Sequence, residues 1–233
     1  MKTIGLLGGM SWESTLSYYK TINKGVKKRL GGLHSADIAL YSVDFDPIEK
    51  LQHEGNWDGT AEILAEAARR VEAAGADFLL ICTNTMHKVA PQVQNAINIP
   101  LVHIADATAE VLKSQGIKKV GLLGTAFTME QDFYKGRLTD KFGLSVTVPD
   151  ANDRSFIHRV IYEELCLGTV TAEAKEGYLH VIDRLAAEGA EAVILGCTEI
   201  GLLVSQQDTH VRLYDTTAIH AQAAVSASLQ LPL

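Results

Sequence analysis

Two short clusters in this 233-residue chain join side chains that can move a proton to side chains that can grip an anion: Cys82-Thr83-Asn84-Thr85-Met86-His87 and Gly196-Cys197-Thr198-Glu199. A cysteine thiolate is both nucleophile and base, and a threonine hydroxyl is a much poorer base than a thiol. Asn and Thr side chains, with backbone N–H groups at a helix start, make a receptor for a carboxylate. The same helix start is expected to lower the Cys197 thiol from about 8.5 towards neutrality. A small carboxylic acid held there would show its α-carbon to Cys197 on one side and to Thr83 on the other. Most cysteines at strand ends are small buried hydrophobes; at Cys197 the flanking Gly196, Thr198 and Glu199 favour chemistry instead. Cys82, by strand alternation, points away from Thr83 and is structural unless a local bulge turns it in. Cys166 falls in the helical pattern Ile161-Tyr162-Glu163-Glu164-Leu165-Cys166, which reads as burial on a helix face. His87 lies five residues after Cys82 with no second ligand pair, so no metal is expected.

The elements that must position these clusters show as short aliphatic and β-branched runs alternating with longer amphipathic stretches, the pattern of a parallel-sheet protein. Strands are expected at Thr3–Leu7, Ala36–Ser42, Phe78–Cys82, Leu101–His103, Lys119–Leu123, Leu144–Val148, Ala192–Gly196 and Arg212–Tyr214. Helices over Thr60–Ala74 and Ala172–Glu188 run into Gly75 and Gly189, placed to cap them. The turn Gly5-Leu6-Leu7-Gly8-Gly9-Met10 matches no dinucleotide or phosphate-loop spacing, so no nucleotide is implied; a tight turn and a substrate contact suit it equally.

The chain also repeats itself. Ile4-Gly5-Leu6-Leu7-Gly8 returns 116 residues later as Val120-Gly121-Leu122-Leu123-Gly124. Arg70-Val71-Glu72-Ala73-Ala74-Gly75-Ala76-Asp77 returns 114 residues later as Arg184-Leu185-Ala186-Ala187-Glu188-Gly189-Ala190-Glu191. The expected fold is therefore α/β: two similar Rossmann-like domains with mainly parallel sheets, related by a pseudo-twofold axis, with the active site in the cleft between them. Residues 1–102 with 212–233 are expected to form the first domain and 103–211 the second. Carried forward, the 114-residue offset aligns Thr83 with Cys197, Asn84 with Thr198 and Thr85 with Glu199. Each lies just past the C-terminal end of a strand, where open α/β sheets bind ligands. Two such groups approaching from opposite sides suit chemistry on both faces of one carbon.

Composition narrows the partners. The formal charge of −7, with no basic run, argues against nucleic acid and anionic membranes. No run approaches the roughly 20 apolar residues of a membrane span. The opening MKTIGLLGGMSW reaches glycines too soon for a secretory signal, and an odd count of three cysteines is not a disulfide framework, so a reducing cytoplasm is expected.

Across essentially its whole length the chain resembles the aspartate/glutamate racemase family of the Asp/Glu/hydantoin racemase superfamily. The likeness rests on Gly8-Gly9-Met10, on Thr83-Asn84-Thr85-Met86-His87 where the family has C-N-T-x-H, and on Gly196-Cys197-Thr198-Glu199 for its G-C-T-E. Cys82-Thr83-Asn84-Thr85-Met86-His87-Lys88 is similar to an enterobacterial subgroup of broad-specificity and L-aspartate/glutamate-specific racemases. The resemblance implies α-proton exchange by Thr83 and Cys197 from opposite faces, without pyridoxal phosphate or any other cofactor, in a homodimer that binds a small amino acid. It implies a substrate-contacting set of Met10, Gln52, Thr83, Asn84, Thr85, Thr125, Cys197, Thr198 and Glu199. Two departures stand out. Thr83 replaces the usual second cysteine, so the two directions are expected to be unequal. The lysine of typical aspartate racemases is matched by Cys166, and Asp46-Pro47-Ile48-Glu49-Lys50-Leu51-Gln52 lacks their arginine, so weaker commitment to aspartate and more tolerance of neutral polar side chains such as homoserine are expected. The competing expectations are a one-thiol decarboxylase or cis–trans isomerase of a small carboxylic acid, and a non-catalytic amino-acid-binding protein.

Overall fold

The computed structural model of the chain describes residues 1–231; Pro232 and Leu233, the end of the segment expected to complete the first domain, lie outside the described residues. The chain divides into two compact units, one comprising Met1–Ile104 with the segment from His220 onward, the other Ala105–Ile219.

The first unit runs β1 (Ile4–Gly8), α1 (Trp12–Leu30), β2 (Ile38–Ser42), α2 (Phe45–His53), α3 (Trp57–Ala73), β3 (Phe78–Ile81), a 3-10 turn (Thr85–Val89) and α4 (Ala90–Asn95). Its parallel sheet has the order β2-β1-β3, with Leu7 in register with Ile81. β1 is buried throughout, as befits a central strand covered on both faces. Alternation sorts β3 between two cores. Leu79 and Ile81 pack with Leu64, Ala68 and Val71 of α3, and Phe78, Leu80 and Cys82 pack with Tyr18, Ile22 and Val26 of α1. The strand expected at Leu101–His103 reduces to a single bridge between Leu79 and Leu101, because α5 (Ile104–Ser114) begins almost at once.

The second unit continues through β4 (Lys119–Gly124), α6 (Ala126–Glu130), α7 (Asp132–Gly136), a π turn (Arg137–Lys141) and β5 (Ser145–Thr147). It goes on through α8 (Ala151–Glu163), α9 (Ala172–Ala187), β6 (Ala192–Gly196), α10 (Ile200–Leu203) and β7 (Arg212–Asp215), then enters α11 (Thr216–Leu229). Its sheet is parallel, in the order β5-β4-β6-β7, with Leu123 in register with Leu195. Because β7 pairs with β6, the chain returns to the first unit at His220, not at the expected position 212.

The sequence repeat has a packing cause. A Cβ on Gly5 would stand 2.7 Å from both the Phe78 carbonyl oxygen and Val71 Cγ1, and one on Gly121 would stand 2.8 Å from Leu185 Cδ1. In each copy the helix lies directly on the strand, which a bare backbone permits. Gly75 (φ 93°) and Gly189 (φ 99°) close those helices in the left-handed region that glycine favours. The acid that follows staples neighbouring strands: Asp77 Oδ2 accepts from Thr3 N at 2.6 Å, and Glu191 Oε2 accepts from Lys118 N at 2.7 Å. Order and register thus repeat as β2-β1-β3 and β5-β4-β6, with Leu101 standing where β7 stands. Among the described residues no helix is long and apolar enough to cross a membrane.

Candidate active site

Every residue of the candidate set except Gln52 lies in a turn directly beyond the C-terminal end of a strand. In the first unit, Met10 follows β1, and Thr83, Asn84 and Thr85 follow β3. Gln52 is on α2, the helix after β2, and is 1% exposed. The two turns are held to each other. Thr15 Oγ1 accepts from Gly9 N at 2.8 Å, and Ser14 Oγ donates to the Cys82 carbonyl at 2.6 Å. Ser11 caps α1 by accepting from Ser14 N at 3.3 Å, which brings Ser14 and Thr15 under the glycine turn. Sequence reasoning missed Ser14 and Thr15, although a serine three residues before Ser14 is a helix-start signal that would have found them.

In the second unit, Thr125 follows β4, and Cys197, Thr198 and Glu199 follow β6. Thr125 caps α6, accepting from Thr128 N at 3.4 Å, and His158 Nδ1 accepts from Ala126 N at 3.2 Å. Gly124 and Gly196 are register partners, so the residues that continue those strands begin side by side. The register also bears on the repeat. Thr83 lies two residues past the partner of Leu7, and Cys197 two residues past the partner of Leu123. Within its own unit, each occupies the same topological position.

Cys197 continues the alternation of Val193 and Leu195 and packs in the core shared with α8 and α9. Its Sγ donates to Glu199 Oε2 at 2.9 Å. Burial first, then the nearby Glu199 carboxylate, pushes the thiol well above its ordinary range. The sequence suggested the opposite. The helix that should have favoured a thiolate starts only at Ile200 and is one turn long, so its dipole is small, while desolvation and a facing carboxylate both oppose a second negative charge. The resting group is a thiol with a proton acceptor in contact.

Cys82 is fully buried against Leu80 and Tyr18, and burial alone raises its thiol. Cys166 departs from its expected helix face, since α8 ends at Glu163. It sits in a 3-10 turn (Leu165–Leu167), half-buried against the core that contains Cys197. His87 bonds to the turn itself, its Nδ1 2.8 Å from the Thr83 carbonyl oxygen. Among the described residues no three His, Cys, Asp or Glu side chains gather into a metal-holding group. A surface cavity of about 520 Å³ beside β2, lined by residues including Tyr41, Asp44, Ile63, Glu66 and Arg70, contains none of the candidate set. Its Arg70 is already bonded to Glu66 and to the Tyr41 hydroxyl.

Residues 7–224 match the family model described as Asp/Glu/Hydantoin racemase. The chain belongs to the Asp/Glu/hydantoin racemase family. It is 56% identical to a Yersinia pestis protein of known structure described as a candidate Asp/Glu racemase, with a TM-score of 0.93 over 99% of this chain and 100% of that one. An aspartate racemase homologue from Pyrococcus horikoshii is 36% identical, with a TM-score of 0.86 over 98% of this chain and 100% of the other. The broad-specificity amino-acid racemase RacX of Bacillus subtilis is 22% identical over 97% of this chain and 98% of its own length. The two parallel sheets with their covering helices are the α/β architecture of this family.

Proposed function

We propose that this family member racemises a small amino acid by exchanging its α-proton, without a cofactor, through Cys197 on one face and Thr83 on the other. The observation that carries the proposal is the Cys197 Sγ–Glu199 Oε2 contact of 2.9 Å, made in a turn whose topological counterpart is the Thr83 turn. For the enantiomer whose α-hydrogen faces Cys197, the thiol proton passes to the Glu199 carboxylate. The thiolate then takes the α-proton and leaves a carbanion. Thr83, backed by water because its alkoxide is costly, delivers a proton to the opposite face. For the other enantiomer the proton leaves on the Thr83 side and the resting Cys197 thiol supplies the new one. Asn84, Thr85 and Thr198 hold the α-carboxylate, whose charge must be met as the carbanion develops, and Met10, Gln52 and Thr125 border the substrate.

Enantiomers have equal free energies, so kcat/KM is the same in both directions. The inequality of thiol and hydroxyl therefore falls on kcat and KM separately and on the rates of isotope exchange. For specificity, the buried neutral Gln52, and Cys166 where typical aspartate racemases carry a lysine, weaken the commitment to aspartate and admit neutral polar side chains such as homoserine. Chiral chromatography of a panel of L- and D-amino acids tests the reading. Inversion by wild type and none by Cys197→Ala is expected. No inversion of any amino acid would overturn the activity, and an exclusive preference for aspartate and glutamate would overturn the specificity. The working assembly is proposed as a cytoplasmic homodimer, and a monomer in sedimentation velocity would contradict it. The same resting thiol could protonate a carbanion left by decarboxylation. Carbon dioxide release from a small malonate, with no α-exchange on amino acids, would favour that second reading.

A further inference from the structure

The proton exchange leaves His87 idle, yet both of its ring nitrogens are engaged and the side chain is only 2% exposed. Nδ1 lies 2.8 Å from the Thr83 carbonyl oxygen, and Nε2 lies 3.2 Å from the backbone N of Ile104. A carbonyl only accepts, so Nδ1 carries the hydrogen, and a backbone N–H only donates, so Nε2 carries none. The ring is held as one neutral tautomer. Burial, then the neighbouring His103 and His220, keep it neutral well below the usual imidazole range. The His103 and His220 rings lie at centroid distances of 4.5 and 5.8 Å. His220 is fixed in the same way: Nε2 donates to the Val102 carbonyl at 2.7 Å, and Nδ1 accepts from the Tyr18 hydroxyl at 2.8 Å.

We infer that His87 is a positioning residue for Thr83, tying the peptide that carries the hydroxyl to the first turn of α5. The Thr83 turn needs such an anchor. It is followed by a five-residue 3-10 turn, not a regular α-helix, and the Asn84 side chain does not cap that turn's first N–H groups. The corresponding turn of the second unit solves the problem differently, with Glu199 reaching the reacting sulfur itself.

The inference rests on Thr83 serving one face of the substrate, and the test separates the two ideas. In heavy water, α-deuterium entering the enantiomer that faces Cys197 reports the thiol side alone, and inversion requires both sides. His87→Leu is expected to slow inversion about tenfold or more, as small displacements of a reacting group do, while exchange on the Cys197 side is kept. His87→Asn, whose amide can donate to the same carbonyl, is expected to recover most of the inversion, and it remains informative should the leucine variant fold poorly. Equal losses of exchange and inversion in His87→Leu, no loss of either, or an asparagine variant as slow as the leucine one would overturn the assignment. Wild type that neither exchanges nor inverts would sink the proposed function instead. The anchor is then still readable by 15N NMR: an Nδ1-protonated ring that does not titrate supports it, and a ring titrating near pH 6.5 removes it.

Discussion

At the residue scale, the unexpected feature is a buried thiol in contact with a carboxylate where a thiolate was anticipated. That Thr83 and Cys197 hold equivalent positions past β3 and β6 was legible from a repeat of fixed offset. The direction of the thiol shift was not, because it depends on desolvation and on where Glu199 folds back, and neither has a signature in spacing. The sign leads to a prediction. The thiol proton passes to Glu199 within the site and the reverse direction uses the protonated thiol, so kcat/KM should stay flat through the ordinary thiol value of about 8.5 and not rise there. In Glu199→Gln the carboxylate that opposes the thiolate is gone. The pH profile of Cys197 alkylation should therefore move to lower pH, even as inversion slows about tenfold or more for want of a proton acceptor. An alkylation profile that stays put or moves upward would contradict the role given to Glu199.

At the element scale, the strands of the repeat were readable because β1 and β4 must be apolar and must carry a glycine where a helix lies on them. Leu101–His103 failed because two apolar residues and a histidine before a helix look like a strand until the neighbouring backbone shows how many can pair. The two glycines should differ in cost when changed to alanine. At Gly5 the new methyl meets a backbone oxygen and Val71 at 2.7 Å and Ala76 Cβ at 2.9 Å, so main chain must shift. At Gly121 the closest atom is Leu185 Cδ1 at 2.8 Å, the tip of a side chain that can rotate. Gly5→Ala should lose about 2–3 kcal/mol and Gly121→Ala about 1 kcal/mol in urea unfolding. Equal or reversed losses would mean that the helix in the first unit does not press on β1 as described.

At the scale of the whole molecule, duplication and the parallel α/β architecture could be read from the sequence, whereas the point of return could not. Residues 212–215 resemble any short strand, and only hydrogen bonding to β6 assigns them to the second sheet. Chain passages at Ile104 and His220 border the buried histidines, which makes pH a probe of the first unit. Burial lowers the His220 pKa to about 4. Between that value and the ordinary 6.5, the unfolded chain binds a proton that the folded one refuses, so stability falls as pH drops through this window. For His220 alone the loss is about 3 kcal/mol, and His87 adds to it in the same direction. Urea unfolding at pH 7 and at pH 4.5 should show the drop, with a shallower one in His220→Gln. A flat profile in wild type would contradict the neutral histidine cluster.

The most direct test of two-sided proton exchange removes one side. Thr83→Ala, given each enantiomer of a substrate in heavy water, should place deuterium at the α-carbon of one enantiomer without inverting it and leave the other unchanged. Inversion at the wild-type rate, or deuterium entering both enantiomers alike, would show that Thr83 does not serve the second face.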